Sequence, residues 1–425
     1  MLWIKRAVAA TSLTLLTMFA VTLPATVPDR VPTGAAQAAP PSGTIVFIKS
    51  HNVWLIRPDG SGLYQVTRDG TFGAPYVSPS MSDAGVIAAG RGPYIVRMKQ
   101  NGQVLNRIDP HPLTNSVSHP IDGAPIQVAI SPDGRRIAYT FASYSCPIGA
   151  SCGLRTATGV TDSAALSPNR VGTNYFSSPS WITNSRLMVH GGYGSHVMVQ
   201  DLAGAPAHWY DDSEVVDPGE DLSAGAVSRD GSRLAVVRSY GATTHLATAS
   251  VAGDPRTAPV SGLADPTYLC FTNQDAAINS PSWGPDNRSV VIGDSDGLVI
   301  LTEGAACAST GIRALAPGGS APHWSPGTLN PGPRLFSPIS TPRITGKARV
   351  GRKVTATTGA WSPKPSTVAY RWLRNGKAIK GKAGAKRTYV VRRTDRGRRL
   401  SVLVTVKRSG YSNAALRAAT VLVRR

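Results

Sequence analysis

Apolar positions along this chain come in short runs, each closed by turn-forming residues. The stretch Ser131–Tyr139, SPDGRRIAY, shows the unit. A Pro-Asp-Gly turn stands in front of two basic residues and a short apolar run. Proline presets φ at the first central position of such a turn, and glycine tolerates positive φ. Five weaker copies line up with it: PYVSPS around Ser78, PSWITNSRLMVHG around Ile182, GAVSRDGSRLAVVR around Ser228, PSWGPDNRSVVIGD around Gly284 and APHWSPGT around Ser325. Successive anchors are 53, 51, 46, 56 and 41 residues apart.

A period of about 50 residues is too long for a leucine-rich repeat and suits the four-stranded blade of a β-propeller. The residues before each turn are small or apolar and predict an inner strand. The run after it, such as Arg136–Tyr139, predicts a second strand. Third strands follow at Tyr94–Met98 and from His196 to Leu202. A more polar fourth strand follows at Arg313–Leu315. The two ends of this region have complementary gaps. GTIVFIKSHNVWLIRPDGSGLYQVTRDG supplies second, third and fourth strands without a first; APHWSPG supplies a first strand with nothing after it. Pairing Ala321–Ser325 with Thr44–Ile48 completes a sixth unit and leaves no open sheet edge. The expected fold is all-β, a six-bladed propeller over residues 43–336. Composition agrees: 43 Gly and 33 Pro with 7% aromatics favour many short strands and turns over helices.

Ile56-Arg57-Pro58-Asp59-Gly60 followed by Tyr64-Gln65-Val66-Thr67, together with the Ser-Pro-Asp-Gly copies, resembles the PD40 repeats of TolB-like six-bladed propellers. The resemblance covers about residues 44–326. It is good around Ser131 and Ser228 and eroded elsewhere: the copy at Ile182 lacks the Pro-Asp-Gly turn, and the last copy lacks Asp.

Charge changes the picture for the C-terminal part. The net charge of the chain is +21, yet residues 340–425 alone hold 23 Lys and Arg against one acid, Asp395. Everything before them is close to neutral, so two differently behaved domains are expected. After the linker 337–342, SPISTP, the pattern alternates: Val368, Tyr370 and Trp372 share one face, and Val402, Val404 and Val406 another. Arg374-Asn375-Gly376-Lys377 marks a turn. A β-sandwich over residues 341–425 follows. Val350-Gly351, Gly359-Ala360-Trp361-Ser362, Tyr370–Gly376 and Gly410-Tyr411-Ser412 resemble a bacterial immunoglobulin-like module of exported actinobacterial proteins. The segment holds no Cys, so the inter-sheet disulfide of antibody domains is absent; Trp361, Tyr370, Trp372 and Tyr389 are expected to pack. The cations either form a solvated surface or hold polyanions. The densest run, Arg392, Arg393, Arg396, Arg398 and Arg399, is the candidate polyanion site. Outside a bacterial cell the available polyanions are envelope polymers and lipid headgroups. No nucleic-acid motif is visible, and nucleic acid is not the expected partner.

Lys5 and Arg6, the apolar stretch from Ala7 to Leu23 and Ala36-Gln37-Ala38 match an export signal over residues 1–38, with an uncleaved anchor as the alternative. No other stretch has the length of a spanning helix. The expected location is secreted or extracellular, in contact with the envelope. Four cysteines fit an oxidising compartment. Cys146 and Cys152 are expected to bridge locally, leaving Cys270 and Cys307 as the second pair. That second pair conflicts with the strand assignment. Cys270 falls in a connection between units and Cys307 between third and fourth strands, on opposite faces. Either the stretch from Gly262 to Asn279 wraps the ring edge, or a strand there is misassigned.

Catalytic signals are sparse. Gly149-Ala150-Ser151-Cys152-Gly153 matches the nucleophile pattern but lacks the strand-turn-helix setting. The eight His, at 51, 111, 119, 190, 196, 208, 245 and 323, show no helical or metal spacing. No metal or cofactor is expected. The acidic stretch Asp211, Asp212, Glu214, Asp217, Glu220 and Asp221 has three readings: a solvated loop, a Ca²⁺ site, or a contact with the basic module. These features point to a non-enzymatic binding or scaffold protein: a propeller for a protein or envelope ligand and a cationic module for attachment. A propeller hydrolase or lyase acting on an extracellular glycan is the alternative, and two carboxylates opposed across the channel would favour it.

Overall fold

The computed structural model describes residues 41–424 apart from 115–117, 147–150, 168–170, 192–195, 242, 273–274, 276–277 and 303–311. The expected export signal and Cys307 lie outside the described residues. What is described is nearly all β.

Six four-stranded antiparallel sheets occur among the described residues. Five of them run from an inner strand outward in chain order; in the sixth the inner strand comes from the far end of the region. The inner strands are Gly319–Ser325 (sheet A), Tyr76–Met81 (B), Gln127–Ile130 (C), Ser177–Trp181 (D), Asp221–Val227 (E) and Asn279–Trp283 (F). Each inner strand packs against the next, and F packs back on A, so the inner strands form a closed cycle. This is the architecture of a β-propeller. Sheet A joins the ends as the complementary gaps predict: Thr44 pairs with Ser325, Ile45 with Trp324 and Val46 with His323.

The cores lie between neighbouring sheets. Val46, Val53 and Leu55 of sheet A pack on Tyr76, Met81 and Ile87 of sheet B. Val291, Leu298 and Ile300 of sheet F pack on Ile45 and Phe47, sealing the ring on its other side. Each sheet therefore has both faces covered, which explains why second strands such as Ser289–Gly293 are buried throughout.

The structure corrects three readings. The turn of sheet B lies at Ser82, not Ser78: Ser82 N donates to Val86 O, and Gly85 N to Ser82 O. Ser131 with Arg136 and Gly134, and Ser228 with Arg233 and Gly231, make the same pair of bonds. Ser78-Pro79-Ser80 belongs inside the strand, as do Ser178-Pro179-Ser180 and Ser280-Pro281-Ser282, and the shared Ser-Pro drew the alignment four residues off. Second, Cys270 sits on the outer strand of sheet E, Thr267–Phe271, rather than in a connection. The Pro- and Gly-rich stretch before it hid that strand. Cys270 is disulfide-bonded, and Cys146 is bonded to Cys152. Third, the stretch 337–342 is not only a linker: Ser337–Ser340 pairs with Ala360–Ser362.

The basic segment forms two facing sheets. One is Ile344–Thr345, Lys353–Ala356 and Thr388–Val390; the other centres on Thr367–Arg374 and Arg399–Lys407. Trp372 and Tyr389 stack between them with centroids 5.5 Å apart, amid Val354, Val402 and Val404. Phe336 and Trp361 build a smaller core with Val406.

Ring closure makes Trp324 a strong test. It is buried, packs with Ile45 and Phe47, and its indole donates to Ser42 O at 3.0 Å. Trp324→Ala should cost about 3–5 kcal/mol in urea unfolding; a loss below about 1 kcal/mol would contradict the sealed seam. His190, on the second strand of sheet D, is 1% exposed and neither ring nitrogen has a partner among the described residues. Burial pushes its pKa down to about 4. The unfolded imidazole takes a proton near 6.5 and the folded one does not, so stability is lost as pH falls below about 6.5. His190→Leu should flatten the urea midpoint between pH 7.5 and 5.5, and an unchanged slope would refute this.

Candidate functional site

The inner strands surround a channel with a cavity of about 170 Å³. Each inner strand has one edge with no further strand to pair with, and its N–H and C=O groups need partners. Side chains of the neighbouring strands supply them. Ser80 Oγ accepts from Ile130 N at 2.8 Å, Ser282 Oγ from Trp324 N at 2.9 Å, and Gln127 Oε1 from Ser178 N at 2.7 Å. Ser78 Oγ takes Val128 N at 3.0 Å. Sheets C and E have Ala where Ser80 and Ser282 stand. There the bond runs through the main chain: Trp181 Nε1 donates to Ala129 O at 2.8 Å and Trp283 Nε1 to Ala226 O at 2.9 Å.

Four of these strands carry the same distortion. Ser78, Ser178, Ser280 and Ala321 adopt φ of 44°, 53°, 50° and 48°, each just before a proline. Register shifts mark a bulge at each place. The bulge turns the strand edge, and in three of these strands the residue after the proline, Ser80, Ser282 or His323, bonds to the neighbouring strand.

At the turn end of the channel stands His323. Its Nδ1 accepts from Met81 N at 3.3 Å, continuing the ladder from sheet A to sheet B. Surrounding protein and the nearby Arg229 push its pKa down to about 4, so it is neutral near pH 7. Arg229 pairs with Asp83, and both line the channel. Asp83 follows the inner strand of B and Arg229 that of E, three steps apart in the cycle, so the pair crosses the ring. Arg229 occupies the turn position that Pro132 holds in sheet C.

The acidic connection from sheet D to sheet E is only partly solvated: Glu214, Asp217 and Asp221 are exposed, whereas Asp212 is buried. Asp211 caps the short helix Asp212–Val215 and pairs with His196 at 2.8 Å. His208 lies beside His196, with ring centroids 5.3 Å apart, and faces Glu214 at 3.9 Å. Asp212 is fully buried and binds Arg238, with Nη2 at 2.8 Å from Oδ2; Tyr268 donates to Asp212 Oδ1 at 2.6 Å. Glu220 lies 3.7 Å from Arg238 and 3.6 Å from His245. Burial, and then the cation of Arg238, hold the His245 pKa down against the pull of Glu220. Burial raises the Tyr268 hydroxyl strongly. These carboxylates serve Arg238, a helix cap and His196 separately, and no group of three side chains is placed to hold a metal ion among the described residues. Asp211, Asp212, Glu214 and Glu220 find their partners within the propeller.

The candidate polyanion site is at one end of the sandwich. Arg392, Arg393, Arg396, Arg398 and Arg399 are all exposed around the turn Arg393–Asp395 and the strand that follows. Main-chain bonds between Val391 and Arg352 place Arg352 beside them, and Arg398 to Val423 brings in Arg424. Asp395 does not offset this charge at the surface. It is fully buried, bound by Arg374 Nε at 2.6 Å, Tyr389 Oη at 2.8 Å and Arg392 N at 2.7 Å. The nucleophile-like phrase at 149–153 lies partly outside the described residues; Gly153 opens the strand Gly153–Asp162 rather than a helix.

Sequence reasoning missed the channel mouth and the Arg238 cluster. The Pro-to-Arg exchange within the Ser228 turn was the available signal for Arg229.

No known family profile matches the chain, and no curated protein matches it. Solved structures do. A provisionally assigned TolB from Agrobacterium tumefaciens is 13% identical, with a TM-score of 0.41, 66% of this chain and 91% of that one covered. A protein from Lactobacillus plantarum is 12% identical, with a TM-score of 0.38, 67% and 99% covered. A provisionally assigned gluconolactonase is 12% identical, with a TM-score of 0.37, 65% and 87% covered. At these values the matches carry no argument beyond the sheets themselves, which define the class: a β-propeller followed by a basic β-sandwich.

Removing one partner of a buried ion pair leaves the other charge uncompensated. Asp212→Ala should therefore destabilise the chain by about 3–5 kcal/mol in urea unfolding. A cost under about 1 kcal/mol would show that the connection is solvated after all.

Proposed function

We propose that this chain is an exported, non-enzymatic binding protein. Its body is a six-bladed TolB-like propeller closed by strands from both ends of the region. Its immunoglobulin-like module attaches it to anionic polymers of the cell envelope. The carrying observation is the arginine rim: five exposed Arg in eight residues, with Asp395 buried and already bound. Such a surface draws polyanions strongly at low salt and weakly at high salt. The oxidised cysteines agree with an exported protein. No helix among the described residues is long and apolar enough to cross a membrane.

The propeller supplies the second half of the reading. Its channel is lined by Ser, Pro, Ala and Trp, which suits recognition of a protein or envelope ligand. Where two opposed carboxylates would favour a glycan hydrolase or lyase, Asp83 faces Arg229 instead.

The test is a salt titration of the mature chain on isolated bacterial envelopes. The variant carrying Gln at positions 392, 393, 396, 398 and 399 should bind at least about tenfold more weakly at low salt, or about 1.4 kcal/mol. Its binding should also depend less on salt. Equal binding by wild type and variant would reduce the rim to a solvated surface.

A further inference from the structure

The ion pair at the channel mouth has a second use. We propose that Arg229, released from Asp83, binds a carboxylate that enters the channel, with His323 as the second donor.

Four observations converge. Arg229 and Asp83 reach across the ring from opposite inner strands, so their pairing spans the turn end of the channel. Their side chains are 38% and 39% exposed. An ion pair this open to solvent adds little stability, so exchanging its partner costs little. Three carbonyls of the wall are already occupied: Ala129 O, Ala226 O and Val128 O take bonds from Trp181, Trp283 and Ser78. His323 is the opposite case. Met81 N–H donates to Nδ1, which fixes the proton of the neutral ring on Nε2. Nothing among the described residues accepts from Nε2, and the ring lines the cavity. A guanidinium and a free imidazole N–H at one mouth suit a planar anion; an Arg fork matches a carboxylate in geometry as well as charge. The cavity of about 170 Å³ has room for a small carboxylate or the end of a peptide. Asp83 then acts as a built-in competitor for the same guanidinium.

This rests on reading the propeller as a ligand-binding body, and it is tested apart from the envelope contact. Calorimetric titration of the full mature chain uses three probes: acetate, triglycine with a free C-terminus, and triglycine amide. Binding by acetate and triglycine marks any carboxylate as sufficient; binding by triglycine alone marks a chain terminus as the source. Triglycine amide should not bind. Asp83→Asn should tighten carboxylate binding by about fivefold or more, because the competitor is gone. Arg229→Gln should abolish it, and His323→Gln should weaken it by about threefold to tenfold. Thermal melts confirm that the variants are folded. The proposal is overturned if triglycine amide binds as well as the acid, if Asp83→Asn does not tighten binding, or if no carboxylate binds even to Asp83→Asn. A probe that binds regardless of Arg229 leaves the propeller as a binding body and removes this site. Loss of envelope binding in the arginine variant with carboxylate binding intact separates the two parts.

Discussion

Everything in the ring depends on how the inner strands satisfy their free edges. A strand at the centre of a propeller has a partner on one side only. Water in a narrow channel is a poor substitute for a sheet. This chain uses side chains of adjacent strands instead: Ser80 for Ile130, Ser282 for Trp324, His323 for Met81. Where Ala stands at that position, a Trp indole from the next strand reaches the carbonyl. The bulges before Pro79, Pro179, Pro281 and Pro322 make the reach possible. A left-handed residue costs roughly 1–3 kcal/mol when it is not Gly, and each such bond to a neighbouring strand returns about 1 kcal/mol. Core packing between the sheets supplies the rest.

The same ladder determines what the channel can do. Several of its polar groups hold the ring together. The charge of the channel is at the mouth, where Arg229 stands at the position of a turn proline and pairs with Asp83. The second charged region is remote in sequence and different in kind. The basic sandwich buries its lone acid to pin a turn, with Arg374, Tyr389 and the Arg392 main chain around Asp395. The surrounding guanidinium groups are left to solvent. One charged feature is balanced and local, the other unbalanced and broad. That contrast underlies a reading with a selective channel and an unselective tether.

Much of the fold was legible in the sequence because its signals are local. Turn residues recur at near-regular spacing, and the complementary gaps at Thr44 and Ser325 identify the closing pair. The register of sheet B was misread because Ser-Pro occurs both at turns and inside inner strands, and only hydrogen bonding separates them. The outer strand at Thr267–Phe271 was missed because a Pro- and Gly-rich stretch precedes it. The arginine rim was visible as composition, but not that Asp395 is withdrawn from it. The Arg238 cluster was invisible, since Arg238, His245 and Tyr268 meet only when the strands of sheet E pair, with Asp212 and Glu220 of the preceding connection folded onto them. Acidic runs look solvated in sequence, and burial depends on a partner far along the chain.

The most direct test of the inner ladder is native-state hydrogen exchange at the amides of Met81, Ile130 and Trp324. These N–H groups belong to edges that no strand covers. If neighbouring side chains hold them as described, they exchange only through opening of the ring, with protection close to that of the second strands. Ser80→Ala should then release Ile130 while leaving Trp324 protected. Rapid exchange at all three in the wild-type chain would mean that the ring is held by sheet packing alone.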